Sequence, residues 1–197
     1  MKEPEFLKIH YASVLSDDWG KLTRYRFAYR RRDGTWQDLT REAYDRGNGA
    51  TCLLHDPDSD CVLLTRQFRL PVWLSGRAPF LIETPAGLLE GARPEERMRA
   101  ELIEETGFDV SRLEHLFDVH MSPGSVTEYL SFFIGTYHPG DRVSAGGGDE
   151  SEGEDIEVMH VPLAQALAMI RSGEIADAKT IILLQDLALR RAGLLTS

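Results

Sequence analysis

The stretch Gly87 to Phe108, GLLEGARPEERMRAELIEETGF, most constrains what this chain can fold into. Pro94 suits the first turn of a helix, where its missing N–H costs nothing. Gly107 suits the left-handed cap just past the end. At about 100° per residue, Glu101 and Glu105 lie about 40° apart around the axis, and Glu104 about 60° from Glu101. Three carboxylates thus share one arc, beside an apolar stripe of Met98 and Leu102 that can anchor the helix to a core. Like charges at these spacings repel. A hard divalent cation, which takes oxygen ligands, answers that repulsion. A solvated acidic face, paired with Arg97 and Arg99, is the alternative that the local pattern leaves open.

The 197 residues, 42% of them hydrophobic, suffice for one core and a smaller appendage. The net charge of -10 argues against a general nucleic-acid binder, though not against a small phosphate ligand. No apolar run approaches the ~20 residues of a membrane span, and MKEPEFLKIHY lacks the apolar region of a signal peptide. The expectation is a cytoplasmic protein without a membrane partner. Cys52 and Cys61 fall in apolar runs and read as reduced thiols.

Strands are expected over Phe6–Leu15, Tyr25–Arg31 and Thr35–Leu39, the last two joined at Asp33-Gly34, a strong hairpin signal. This segment has few large apolar residues, Trp19 and Trp36 being the largest, so it must lean on the rest of the chain or on another subunit. The glycines around Asn48 mark a boundary, dividing an N-terminal β segment, residues 1–45, from a domain over 46–197. Within the domain, strands are expected over Ala50–His55, Cys61–Arg69, Phe80–Thr84, Leu113–Met121, Thr127–Tyr137 and Val158–Pro162. Helices are expected over Leu163–Arg171 and Ala178–Ala192.

Arg66 and Arg69 are expected to share a strand face, where they would grip phosphate or carboxylate or form a salt-bridging edge. Glu128, next to a turn, is a site residue or a hydrophilic strand end. Asp141–Glu157, with three consecutive glycines and many acids, is a solvated flexible loop or a mobile acidic loop that closes over a metal-bound ligand. Lys179 starts a helix, where a lysine is not placed for the helix dipole.

The run Glu101-Leu102-Ile103-Glu104-Glu105-Thr106-Gly107-Phe108 resembles the second half of the Nudix hydrolase signature. The first half departs from it. The segment from Gly87 to Gly107 is one residue short, the upstream Glu is matched by Ala92 or Arg93, and Ala100 stands for the usual Arg. Further stretches resemble one branch of that family, the GDP-mannose pyrophosphatases, which are related to the ADP-ribose pyrophosphatases. They include Arg41-Glu42, Tyr44 to Ala50, Arg66 to Arg69, Leu81 to Glu83, Ala86 to Leu89, Met121 to Gly124 and Val126 to Glu128. Ala145 to Gly148, Glu154 to Val158, Gly173 to Ile175 and Lys179-Thr180 complete them.

The resemblance implies an α+β fold, a Nudix-type α/β/α sandwich with a mixed sheet plus a small N-terminal antiparallel β segment. It implies Mg²⁺, with Mn²⁺ as a substitute, held by the Ala86 carbonyl, Glu101, Glu105 and Glu154. Substrate contacts are implied for Trp19, Arg41, Glu42, Arg69, Ala86, Gly87, Leu88, Glu128 and Lys179. Glu105, Glu128 and Glu154 would serve the chemistry, with Glu128 or Glu154 as base and Glu104 in support. The activity implied is hydrolysis of a nucleotide-sugar pyrophosphate, GDP-mannose before ADP-ribose, by a homodimer whose N-terminal strands reach the partner's site. Ala92 and Ala100 favour a different class, a non-catalytic nucleotide-sugar-binding protein.

Overall fold

Three long strands, β1 (Leu7–Asp17), β2 (Lys21–Arg30) and β3 (Trp36–Asp45), form an antiparallel sheet in order β1-β2-β3. The computed structural model describes residues 4–195. The β2–β3 turn is the expected Asp33-Gly34 hairpin: Gly34 takes φ +85°, and Arg31 N–H bonds the Thr35 carbonyl at 2.8 Å. Both strands run longer than expected. Within the three strands only Thr23 and Ala28 are buried, so the sheet has almost no core of its own.

The first of two compact units comprises the chain up to Asn48 together with Ser122–Tyr129. That second segment was expected to begin a strand at Thr127, but its backbone bonds elsewhere. Tyr44 N–H donates to the Ser125 carbonyl, Thr127 N–H to the Tyr44 carbonyl, and Tyr129 N–H to Asn48 Oδ1. The strand itself starts only at Leu130.

The second unit is built on β4 (Gly49–Asp56), β5 (Cys61–Phe68), β6 (Phe80–Glu83), β7 (Ala86–Leu88), β8 (Leu113–Val119), β9 (Leu130–Thr136) and β10 (Glu157–Pro162). Their order is β10-β5-β4-β9-β8, with β6 on β5 and β7 on β4. The β4–β9 pair is parallel and the others antiparallel, so the sheet is mixed. The short α1 (Leu70–Leu74) has no counterpart in the sequence reading. α2 (Pro94–Glu101) passes into a π turn over Leu102–Thr106, and α3 (Leu163–Ser172) and α4 (Ala178–Arg191) close the unit.

Strand alternation sends side chains to two separate cores. Leu53, Val62, Leu64 and Phe132 pack with Leu163, Ala166, Met169, Leu183 and Leu184 of α3 and α4. Cys52, Leu54, Leu63 and Phe133 pack on the other side with Met98, Leu102, Phe108 and Tyr137. Helices on both faces explain why β4 is a near-continuous buried run rather than an alternating one. The expected α/β/α sandwich is present.

Candidate active site and divalent-cation centre

α2 begins as expected, with Pro94 in its first turn, and Gly107 closes the π turn at φ +82°. Met98 and Leu102 are fully buried anchors. The helix does not stay regular, however. The π turn inserts extra backbone at Leu102–Thr106, a feature frequent at functional sites. Glu101 and Glu105 are 4% and 1% exposed, whereas Glu104 is half-buried.

β7 supplies the opposite wall. Glu105 Oε2 accepts the Ala86 N–H at 3.3 Å. Glu101 lies against Gly87, where an added Cβ would stand 1.8 Å from Oε1. Arg97, one turn before Glu101, contacts it at 2.7 Å and donates from Nε to the Leu88 carbonyl at 3.1 Å. Arg97 therefore braces loop and helix in a chain that has Ala100 where the signature has Arg. Arg99 takes no part: it binds Glu95 and the Val110 and Ser111 carbonyls.

Burial pushes Glu101 up to about 7, aided by Glu104, Glu154 and Glu152 and opposed by Arg97. Glu105 is raised well above the carboxylate range by burial and then by Glu101 and Glu154. Glu104 is raised by burial and by Glu154. These are hard oxygen donors, Glu101 and Glu105 buried and Glu104 half-buried, whose charges oppose one another. The set fits a divalent cation, with the Ala86 carbonyl available as a neutral ligand. Among the described residues, one set of three acidic or histidine ligand atoms lies mutually within 4.8 Å: Asp56, Asp58 and His138. Glu101, Glu105 and Glu154 are not in such a set, and each has its own partner: Arg97, Ala86 N–H and Asp149 N–H respectively.

The acidic loop is docked by its glycines. Gly147 and Gly148 N–H bond the Glu105 and Glu104 carbonyls at 2.9 and 3.1 Å, satisfying the end of the π turn. Gly146, at φ +69°, passes so close that a Cβ would lie 2.5 Å from the Thr106 carbonyl carbon. The same loop carries Glu154, whose charge acts on all three helix acids.

Arg66 and Arg69 do not share a face. Residues three apart on a strand point oppositely, and β5 ends at Phe68. Arg66 pairs with Glu157 on β10, and Arg69 Nε reaches Glu83 Oε2 at 2.8 Å. Lys179 Nζ reaches the other Glu83 oxygen at 2.6 Å and Asp177 at 3.1 Å. Burial works against its charge, yet Glu83 and Asp177 hold it above the ordinary lysine value. Glu83 and Arg97 are the residues that sequence reasoning passed over. Glu83 appeared only within a matched stretch, and Arg97 only as a counterion on the helix face.

Trp19, Arg41, Glu42 and Glu128 belong to the first unit. Trp19 is 77% exposed with Arg46 stacked 4.8 Å over its ring. Glu42 pairs with Arg24 at 2.8 Å, and Arg41 bonds the Thr40 carbonyl. Glu128 lies before β9, not at a strand start.

Residues 7–44 match the model described as the GDP-mannose pyrophosphatase NudK N-terminal domain, and residues 45–184 match the NUDIX domain. GDP-mannose pyrophosphatases of Salmonella paratyphi B and Citrobacter koseri are each 49% identical, and that of Escherichia coli O1:K1 48%, over 88% of this chain and 91% of theirs. The crystal structure of an ADP compounds hydrolase superposes with TM-score 0.71 at 16% identity, covering 99% of this chain and 100% of that one, and shows the shared fold. With the two-sided sandwich, the acid helix and these matches together, the chain belongs to the Nudix hydrolase family.

Proposed function

We propose that this protein hydrolyses GDP-mannose to GMP and mannose 1-phosphate. The observation that carries it is the near-half identity to GDP-mannose pyrophosphatases along 88% of the chain, joined to an intact Glu101–Glu105 pair over Ala86 and Gly87. Water oxygen bonds to one phosphorus, the P–O–P bond breaks, and the water proton passes to a carboxylate base.

The substrate is polyanionic, so bare carboxylates would repel it. Mg²⁺, with Mn²⁺ as a substitute, supplies positive charge against the phosphate oxygens and acidifies water when bound. Glu101, Glu105, Glu154 and the Ala86 carbonyl are the residues to hold it. Arg69, with Lys179 behind it, offers protein charge to the diphosphate. Gly87 and Leu88 present backbone to the substrate. Glu154 already acts with the helix acids, which leaves Glu128 as our choice of base. Glu128, Trp19, Arg41 and Glu42 enter through family likeness as substrate contacts.

We read the molecule as a cytoplasmic homodimer. The sheet β1–β3 exposes Tyr11, Val14 and Trp36, side chains that a second copy would cover. Among the described residues no helix is long and apolar enough to cross a membrane.

A panel of nucleotide sugars with coupled phosphate detection tests the activity. GDP-mannose should turn over fastest in Mg²⁺. Faster turnover of ADP-ribose would overturn the substrate, and tight binding without product would point to a non-catalytic sensor.

A further inference from the structure

Two cations from distant parts of the chain meet on one buried carboxylate. Arg69 follows β5, Glu83 ends β6, and Lys179 stands in the first turn of α4. Glu83 is 3% exposed and divides its oxygens, Oε2 to Arg69 Nε at 2.8 Å and Oε1 to Lys179 Nζ at 2.6 Å. Three features argue that this arrangement is more than a fold brace.

Lys179 lies at the end of α4 where a positive charge opposes the helix dipole, and it is only 7% exposed. The Asp177 cap already serves that helix end, accepting Thr180 N–H at 3.0 Å. The strand-to-helix tie is made separately, by Thr84 N–H to Thr180 Oγ1 at 2.7 Å. Thr180 thus makes both the cap and the tie, and Lys179 adds its charge, with Nζ between Glu83 at 2.6 Å and Asp177 at 3.1 Å.

The charge of Arg69 acts on Glu105, and its side chain stays 38% exposed although Glu83 is buried. A guanidinium that spends Nε on a fixed carboxylate is held in one orientation, with its two terminal nitrogens as a rigid fork for phosphate oxygens.

The path from Glu83 to the cation centre is short in sequence. Thr84 and Pro85 lead directly to Ala86 and Gly87, so the same strand exit carries the carboxylate that holds the cations and the backbone that meets Glu101 and Glu105.

We propose that Glu83 is a positioning residue, which fixes Arg69 and Lys179 as a paired anion clamp for the diphosphate of the substrate. This rests on the nucleotide-sugar reading above. The sign of the effect separates it from simple charge balance. Removing the Glu83 charge makes the pocket more positive, so a residue acting by charge alone would, once neutralised, leave the anionic ligand bound more tightly. A positioning residue, once neutralised, leaves the clamp misaligned and the ligand bound more weakly.

The test is a double-mutant cycle over Glu83→Gln and Arg69→Ala, read by kcat and KM on GDP-mannose, by calorimetric affinity for GDP in Mg²⁺, and by melting temperature. Expected is a rise in KM and in the GDP dissociation constant of about tenfold for Glu83→Gln, with the double variant's loss smaller than the product of the two single losses, since only the Lys179 share of the Glu83 effect survives in Arg69→Ala. Multiplying losses, or tighter GDP binding by Glu83→Gln, would overturn the proposal. Should Glu83→Gln fail to fold, the cycle is run in a Lys179→Met background, which removes the stranded charge. The two readings fail separately. A wild-type protein that leaves GDP-mannose intact refutes the substrate, while the GDP arm still reads the clamp.

Discussion

Glu101 and Gly87 are in van der Waals register: the carboxylate occupies the space that any Cβ at residue 87 would need. Gly87 has no positive φ, so alanine suits its backbone and the clash falls on the movable end of Glu101. Gly87→Ala should fold with an unchanged circular dichroism spectrum and lose about 10–100-fold in kcat/KM, the scale of a displaced metal-ligand environment. Wild-type turnover would show that Glu101 does not need its present position.

Glu105→Gln should remove the most buried acid of the cluster without disturbing the Ala86 contact. Turnover should drop by at least about 100-fold, while the metal-free protein melts higher because a repelling buried charge is gone. Wild-type-like rates would sink the metal assignment.

Arg97 replaces the arginine missing at Ala100, so its loss should be felt at Glu101. Arg97→Met should lower Mg²⁺ affinity by about 10–100-fold, measured as the concentration giving half-maximal rate. An unchanged Mg²⁺ dependence would reduce the Arg97–Glu101 contact to a surface pair.

The acid cluster carries a pH signature. Glu101 titrates near 7 in the fold, against 4.5 ordinarily, and Glu104 and Glu105 are raised too. Between those values the native state binds more protons than the unfolded chain, so this contribution to stability is complete below 4.5 and is lost as pH rises toward 7. In EDTA, the melting temperature of wild type relative to Glu101→Gln/Glu105→Gln should fall as pH rises from 4.5 through about 7, the interval over which Glu101 holds its extra proton. The increment from Mg²⁺ should grow over the same range, since the ion competes with protons. A flat difference would contradict the shifts.

Gly146 lets the acidic loop dock on the π turn. Gly146→Ala should destabilise by more than about 1 kcal/mol, since alanine is strained at positive φ and meets backbone there. Protease cleavage within residues 141–157 should accelerate. Unchanged stability would mean that the docking is dispensable.

The local pattern of the chain determined the helix ends at Pro94 and Gly107, the buried anchors Met98 and Leu102, and the acids themselves, because each rests on spacings of a few residues. The two-sided sandwich was legible through the family resemblance rather than through periodicity, although the buried run of β4 and the apolar faces of α3 and α4 suit it. Only the tertiary structure decided that Glu101 and Glu105 are buried while Glu104 is half-buried, that Arg97 takes over the brace, that the glycine run satisfies helix carbonyls, and that Ser122–Tyr129 bonds to Tyr44 and Asn48. It alone joined Lys179 to Glu83 across 96 residues. The physical reason is common to all of these. Periodicity records which face of an element is buried, whereas a buried charge takes whichever partner the fold delivers, and no spacing along the chain records that.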